Sequence, residues 1–338
     1  MIEIQKFNNI LSSFKIPAYC VDYSEYKNAQ FYDVELKSGG RIKQLEKFSA
    51  EIALLLRASS QPTIYPLPDK GQIRVEFVAP RTDMLRLSSM WHLPTIDGTL
   101  SCLIGETLIG DPMWLDLAAS PHLLVAGCTG SGKSSLLHTI IGNLLHRYQQ
   151  SHLYILDPKN TEYYQYSQYP NVVVQTGYQD SLKTLQLVSE HMEERFMQMR
   201  MYGSTIKDFP PMVLVIDEFA DLILQDSDHQ FLHAMCRLAQ KCRAAGIYLI
   251  LATQRPSVDI VNGSIKANFP TRISCKVATS IDSKVILDTT GAQNLLGAGD
   301  ALIKSQMYDL ERFQVAYTTA DEICANVQYQ WSAESEEF

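Results

Sequence analysis

From Leu100 onward the chain carries short apolar runs, HLLVAG, LYILD, NVVVQ, MVLVIDE, IYLILAT, TRISCKV and DALIK, with helical segments alternating between them. Each run is too short for a helix and most are dominated by apolar residues, so they read as strands covered on both faces. Continuous apolar strands separated by helices imply a mostly parallel sheet with helices on either side. A doubly wound α/β unit follows.

The N-terminal part reads differently. Between Gly39 and Val78, Ile42, Leu45, Phe48, Ile52, Leu55 and Leu56 recur at helical spacing. The turn cluster PLPDKG and the alternating strand IRVEFV come next, and the strand-like FYDVEL precedes them. Together they suggest a small α/β domain over residues 1–88. The stretch Arg81–Met90 has no pattern and marks the boundary; the larger unit is expected over 89–332, with an acidic tail at 333–338. For 338 residues, one small and one large domain is a natural division.

Composition narrows the setting. No run approaches the ~18 apolar residues that would cross a bilayer, and the first residues lack a secretory pattern. A cytoplasmic protein without direct membrane insertion is expected. The seven cysteines form no CxxC pair and no metal-ligand spacing with histidine, so they read as reduced thiols. A net charge of −8 argues against coating nucleic acid over the whole surface, yet leaves room for a local basic channel.

The run HLLVAGCTGSGKSSLL contains Gly127, Gly132, Lys133 and Ser134 in the spacing GxxxxGK[ST], between a strand and a helix. Backbone N–H groups from Gly127, Cys128, Thr129, Gly130, Ser131, Gly132, Lys133, Ser134 and Ser135 would cradle phosphate oxygens at a helix N-terminus. Lys133 would reach the β- and γ-phosphates of ATP, and the Ser134 hydroxyl would ligate Mg2+. In PMVLVIDEFADL, an apolar strand ends in Asp217 and Glu218. Asp217 is expected to hold the magnesium through its water shell, and Glu218 to orient or deprotonate the attacking water. A third strand, IYLILATQ, ends in Gln254, expected to contact the γ-phosphate or the attacking water and report which nucleotide is bound.

The segment RLAQKCRAAGIYLILATQRPSVDIVNGSIKANFPTRISCKVATSIDSKVILDTTGAQNLLGAGDALI resembles the corresponding region of the FtsK/SpoIIIE family of DNA translocases. PHLLVAGCTGSGKSSLL, ILDPKN, EHMEERFMQM, VLVIDEFADL and TTADEICANVQYQW follow in the family's order, and SAEIALLLRA and DKGQIRVEF resemble its small N-terminal module. The resemblance covers roughly residues 30 to 332. It implies a RecA-like P-loop motor that assembles as a ring, usually a hexamer, around double-stranded DNA, with ATP between subunits and an arginine from the neighbour completing each site.

For that arginine the resemblance offers Arg195 and then Arg272, while Lys284 stands where the family typically has arginine and cannot reproduce its planar fork. The membrane spans and C-terminal winged-helix domain of cell-division and sporulation members are not found in this sequence, so either anchoring and sequence-reading partner proteins supply them or the sequence is a fragment of something longer. The alternative is a coupling or secretion ATPase that delivers protein or nucleoprotein to a membrane channel. The loop TEYYQYSQYP, with Tyr163, Tyr164, Tyr166 and Tyr169, reads either as a stacking platform for single strands or as a loop packed on the sheet or a neighbour.

Overall fold

A computed structural model describes residues 2–95 and 100–327. The expected tail at 333–338 lies outside them. The N-terminal part comprises α1 (Ile2–Ser13), β1 (Ala18–Glu25), β2 (Ala29–Leu36), α2 (Ile42–Lys47), α3 (Ser49–Leu56), β3 (Thr63–Leu67) and β4 (Gln72–Val78). Its sheet runs β1-β2-β4-β3, antiparallel throughout. Phe7, Leu11, Val34, Leu45, Ile52 and Val75 form its core.

The helical spacing from Ile42 to Leu56 resolves into two helices rather than one. Phe48 leaves the helical region at φ −104°, ψ 17° and closes α2 while opening α3. Its ring stacks on Phe14 at 4.9 Å, a contact that an uninterrupted helix has no reason to favour. Strand β3 escapes a sequence reading because Pro66 lies within it; the sheet tolerates the missing N–H because β3 is an edge strand.

The larger part comprises β5 (Ser101–Thr107), β6 (Pro112–Asp116), β7 (Leu123–Ala126), α4 (Lys133–Arg147), β8 (His152–Leu156), β9 (Val172–Gln175), α5 (Tyr178–Tyr202), β10 (Met212–Ile216), α6 (Phe219–Gln225), α7 (Gln230–Lys241), β11 (Ile247–Thr253), α8 (Gly263–Asn268), β12 (Thr271–Cys275), α9 (Ser280–Leu287), β13 (Asp300–Lys304), β14 (Glu311–Val315) and α10 (Ala320–Asn326). One ten-stranded sheet runs β6-β5-β14-β13-β12-β7-β11-β10-β8-β9. The six strands from β12 to β9 are parallel.

The other edge departs from expectation. DALIK forms β13, which lies antiparallel to β12, and β14, β5 and β6 extend the antiparallel half.

Alternating residues of the central strands go to opposite faces, and both faces are buried. Leu123, Val125, Val213, Val215, Ile250 and Ala252 pack with Leu136, Ile140 and Leu144 of α4 on one side. Leu124, Ala126, Leu214, Ile216, Leu249 and Leu251 pack with residues of α5, α6 and α7 on the other. This two-sided burial is why the strands read as unbroken apolar runs.

The two sheets are joined by buried charge. Arg312 on β14 donates to both carboxylate oxygens of Asp300, at 2.8 and 2.6 Å, to Glu76 on β4 at 3.3 Å, and to Thr63 on β3 at 3.1 Å. All four are buried.

Candidate active site

The phosphate loop leaves β7 and enters α4 at Gly132, whose φ of +103° is strained for any residue with a side chain. A Cβ there would also lie 2.4 Å from the backbone nitrogen of Gly299. The loop is therefore pinned from behind. Ala298 and Gly299 donate backbone N–H groups to the carbonyls of Gly130 and Ser131 at 3.3 and 2.9 Å, and Cys128 donates to the carbonyl of Lys276 at 2.9 Å. The first N–H groups of α4 have no intrahelical acceptor. They border a cavity of about 940 Å3 lined by Gly130, Gly132, Lys133, Ser134 and Ser135.

The far wall of that cavity is Pro80–Leu85 with Leu108 to Gly110 and Tyr317. The segment that reads as a featureless boundary thus borders the site. Its only sequence signal is its lack of periodicity, and it is held in place by Arg81, whose guanidinium pairs with Glu106 at 3.3 Å.

Strand order sets what faces the loop. Because β11 lies between β7 and β10, the ends of all three strands converge on one side of the sheet. Lys133 Nζ donates to Asp217 Oδ1 at 2.7 Å and to the Asp217 carbonyl at 2.9 Å. Glu218 is almost fully buried and accepts from the Thr253 hydroxyl at 2.8 Å and from the Gln254 backbone N–H at 3.0 Å. The Thr129 hydroxyl donates to Gln254 Oε1 at 3.0 Å, linking the phosphate loop to β11. Lys133, Asp217, Glu218 and Gln254, predicted separately from three strands, are brought together here.

Three participants go beyond the sequence prediction. Thr253 orients Glu218, and Lys159 lies 3.8 Å from Glu218 and 3.5 Å from Asp221. The Tyr163 hydroxyl donates to Asp217 Oδ1 at 3.1 Å. Burial, followed by the nearby Asp217 charge, holds the Tyr163 phenol well above its ordinary pKa, so it remains a donor. Next to it His138 Nδ1 lies 2.8 Å from the Tyr166 hydroxyl, and burial lowers the His138 ring to about 4, keeping it neutral.

Of the two readings of the tyrosine loop, packing on the sheet is the one found. Tyr163, Tyr166 and Tyr169 are buried, and only Tyr164 is exposed.

The two arginines expected to reach a neighbour are engaged within their own chain. Arg195 donates to the carbonyls of Ala245 and Pro210, both at 2.8 Å, and is 7% exposed. Pro210 and Ala245 precede β10 and β11, whereas Asp217 and Gln254 follow them, so Arg195 lies at the opposite end of the sheet. Arg272 donates to the carbonyls of Phe269, Ile286 and Lys266 and pairs with Asp288. In this chain each guanidinium is therefore bonded as a structural clamp would be. Lys284 is exposed on α9.

Oxygen donors of the Ser134 and Asp217 kind suit a hard divalent cation. Among the described residues no group of three or more His, Cys, Asp or Glu could cage a metal by itself. Such oxygen donors fit Mg2+, which keeps several waters and takes its remaining ligands from substrate phosphates.

A phosphate loop, a carboxylate pair and a polar strand end on neighbouring parallel strands define a P-loop ATPase fold of the RecA-like kind. The FtsK/SpoIIIE family model matches residues 91–205 and 202–258. The chain belongs to that family. A DNA translocase FtsK from Corynebacterium efficiens is 32% identical over 96% of this chain, and one from Chlamydia trachomatis is 35% identical over 93%. These alignments cover 38% and 43% of the relatives, so the chain spans about two fifths of their length.

Among solved structures, the pCW3 conjugation coupling protein TcpA, in monomer form with ATPgS, superposes with a TM-score of 0.67 at 23% identity, covering 96% of this chain and 99% of that one. The cytoplasmic domain of the type VII secretion ATPase EccC from Thermomonospora curvata gives 0.58 at 23% identity, covering 71% and 31%. At such identities these structures speak for the fold. Among the described residues no helix is long and apolar enough to cross a membrane.

Proposed function

We propose that the chain is an ATP-hydrolysing motor that moves double-stranded DNA through a ring, usually hexameric, with residues 1–88 as the small module and 89–332 as the motor. The observation that carries the reading is the convergence of Lys133, Asp217, Glu218 and Gln254 on the phosphate loop of a chain in the FtsK/SpoIIIE family.

Asp217 accepts from Lys133 through both its side chain and its carbonyl. Phosphate oxygens at the α4 N-terminus compete for that ammonium, and Lys133 swings to the β- and γ-phosphates. Asp217 and Ser134 would hold Mg2+, which would supply neutralisation of charge on the phosphate oxygens. Glu218, fixed by Thr253 and the Gln254 N–H, polarises the attacking water. Gln254 spans from this carboxylate to Thr129, so displacement of either end by the γ-phosphate reports nucleotide state along β11.

DNA contact would come from lumen-facing loops gripping phosphates, with little base specificity and a steep salt dependence. The competing reading is a coupling or secretion ATPase that delivers protein or nucleoprotein to a membrane channel. ATPase assays with and without long duplex DNA at low salt separate the two. Stimulation by duplex supports the translocase; stimulation by a secreted peptide, with no response to DNA, supports the alternative.

A further inference from the structure

We propose that Tyr163 is a positioning residue for Asp217, a role that rests on reading the site as one for magnesium nucleotide. Asp217 Oδ1 receives two donors, Lys133 Nζ at 2.7 Å and the Tyr163 hydroxyl at 3.1 Å. The first is also the group that phosphate recruits. When Lys133 leaves, Oδ1 of a buried carboxylate keeps the Tyr163 hydroxyl as the side-chain donor seen in this structure, and an oxygen without it would turn toward whatever donor is nearest. The bond to Tyr163 fixes Oδ1 and so fixes where the second oxygen points. Partners that orient a metal-holding group in this way contribute strongly to metal affinity.

The fold delivers Tyr163 with little freedom. Asp157, fully buried at the end of β8, accepts from the backbone N–H groups of Lys159, Thr161 and Glu162 at 3.2, 2.9 and 3.1 Å. That turn sets the backbone immediately before Tyr163. The ring is fully buried and packs against His138, with centroids 5.0 Å apart. Such a rigid phenol can hold a carboxylate without the entropy loss of a long side chain.

The test is equilibrium binding of a fluorescent non-hydrolysable ATP analogue to wild type and Tyr163→Phe, in EDTA and across a Mg2+ titration. Affinity in EDTA should be unchanged, and the Mg2+ concentration at half-effect should rise about tenfold in the variant. Superimposable Mg2+ titrations would overturn the proposal. Equal losses with and without Mg2+ would also overturn it, since they would mark a packing role. A wild-type chain whose nucleotide affinity ignores Mg2+ would overturn the underlying reading of the site as well. If Tyr163→Phe does not fold, Tyr163→Leu removes the same hydroxyl and is judged by the same titration.

Discussion

Arg312 and Asp300 face each other across β14 and β13 with two hydrogen bonds, 2.8 and 2.6 Å long, in a fully buried fork. Asp300 Oδ2 also accepts the backbone N–H of Leu296 at 2.7 Å, which closes the loop whose Ala298 and Gly299 N–H groups hold the phosphate loop. The same guanidinium reaches Glu76 and Thr63 on the small sheet. One side chain therefore ties the small sheet to the back of the nucleotide site.

Breaking that tie should be costly. Arg312→Met leaves Asp300 and Glu76 buried without their cation, and denaturant unfolding should show a loss of about 3–5 kcal/mol. Burial already pushes the Glu76 carboxyl above its ordinary pKa while Arg312 opposes the shift. Without Arg312, Glu76 takes up a proton more readily, so the loss should be smaller at pH 5 than at pH 8. An equal loss at both would remove Glu76 from the account.

Glu218→Gln keeps the shape of the group that Thr253 and the Gln254 N–H hold but removes its charge and basicity. Hydrolysis should fall about 10²-fold or more while ATP binding stays intact. Single-turnover rates together with nucleotide affinity check this. Unchanged turnover would take Glu218 out of the reaction.

Arg195→Ala distinguishes a clamp from a group acting on a neighbour's nucleotide. A clamp predicts that the Ala245 and Pro210 carbonyls lose their donor and that stability falls by about 2 kcal/mol, with turnover per folded molecule nearly preserved. A group acting across the interface would instead lose about 10³-fold or more in rate with little change in melting temperature. Thermal melts beside ATPase rates decide.

Acid should loosen the fold through two buried histidines. His138 and His122 are both lowered to about 4, chiefly by burial, and His122 Nδ1 accepts the Leu249 N–H at 3.0 Å. Unfolded, each has the ordinary value near 6.5. Between those limits the unfolded chain binds more protons, so stability falls as pH drops through that window, by up to about 1.4 kcal/mol per pH unit for each ring. Urea midpoints from pH 7 to 4 measure the slope, and His138→Gln should reduce it.

The parallel half of the sheet was legible because burial on both faces makes each strand a continuous apolar run. In the antiparallel half β13 was legible as DALIK, but β6 holds Trp114 among mixed neighbours and β14 carries Arg312 and Gln314; in the small sheet β3 contains Pro66. The phosphate loop, Asp217, Glu218 and Gln254 were legible because their chemistry requires fixed residue types at strand ends. Tyr163 and Thr253 were not assigned roles, since a hydroxyl that orients a carboxylate has no spacing rule. For Arg195 and Arg272 a sequence shows only that a guanidinium is present, and the fold adds the carbonyls to which it is bonded.

The central claim is best tested by electron microscopy of the protein mixed with long duplex DNA and a slowly hydrolysed ATP analogue. Closed rings threaded by duplex, with nucleotide at the subunit boundaries, are the expected result. Monomers or open assemblies that leave DNA free under the same conditions would contradict a ring translocase.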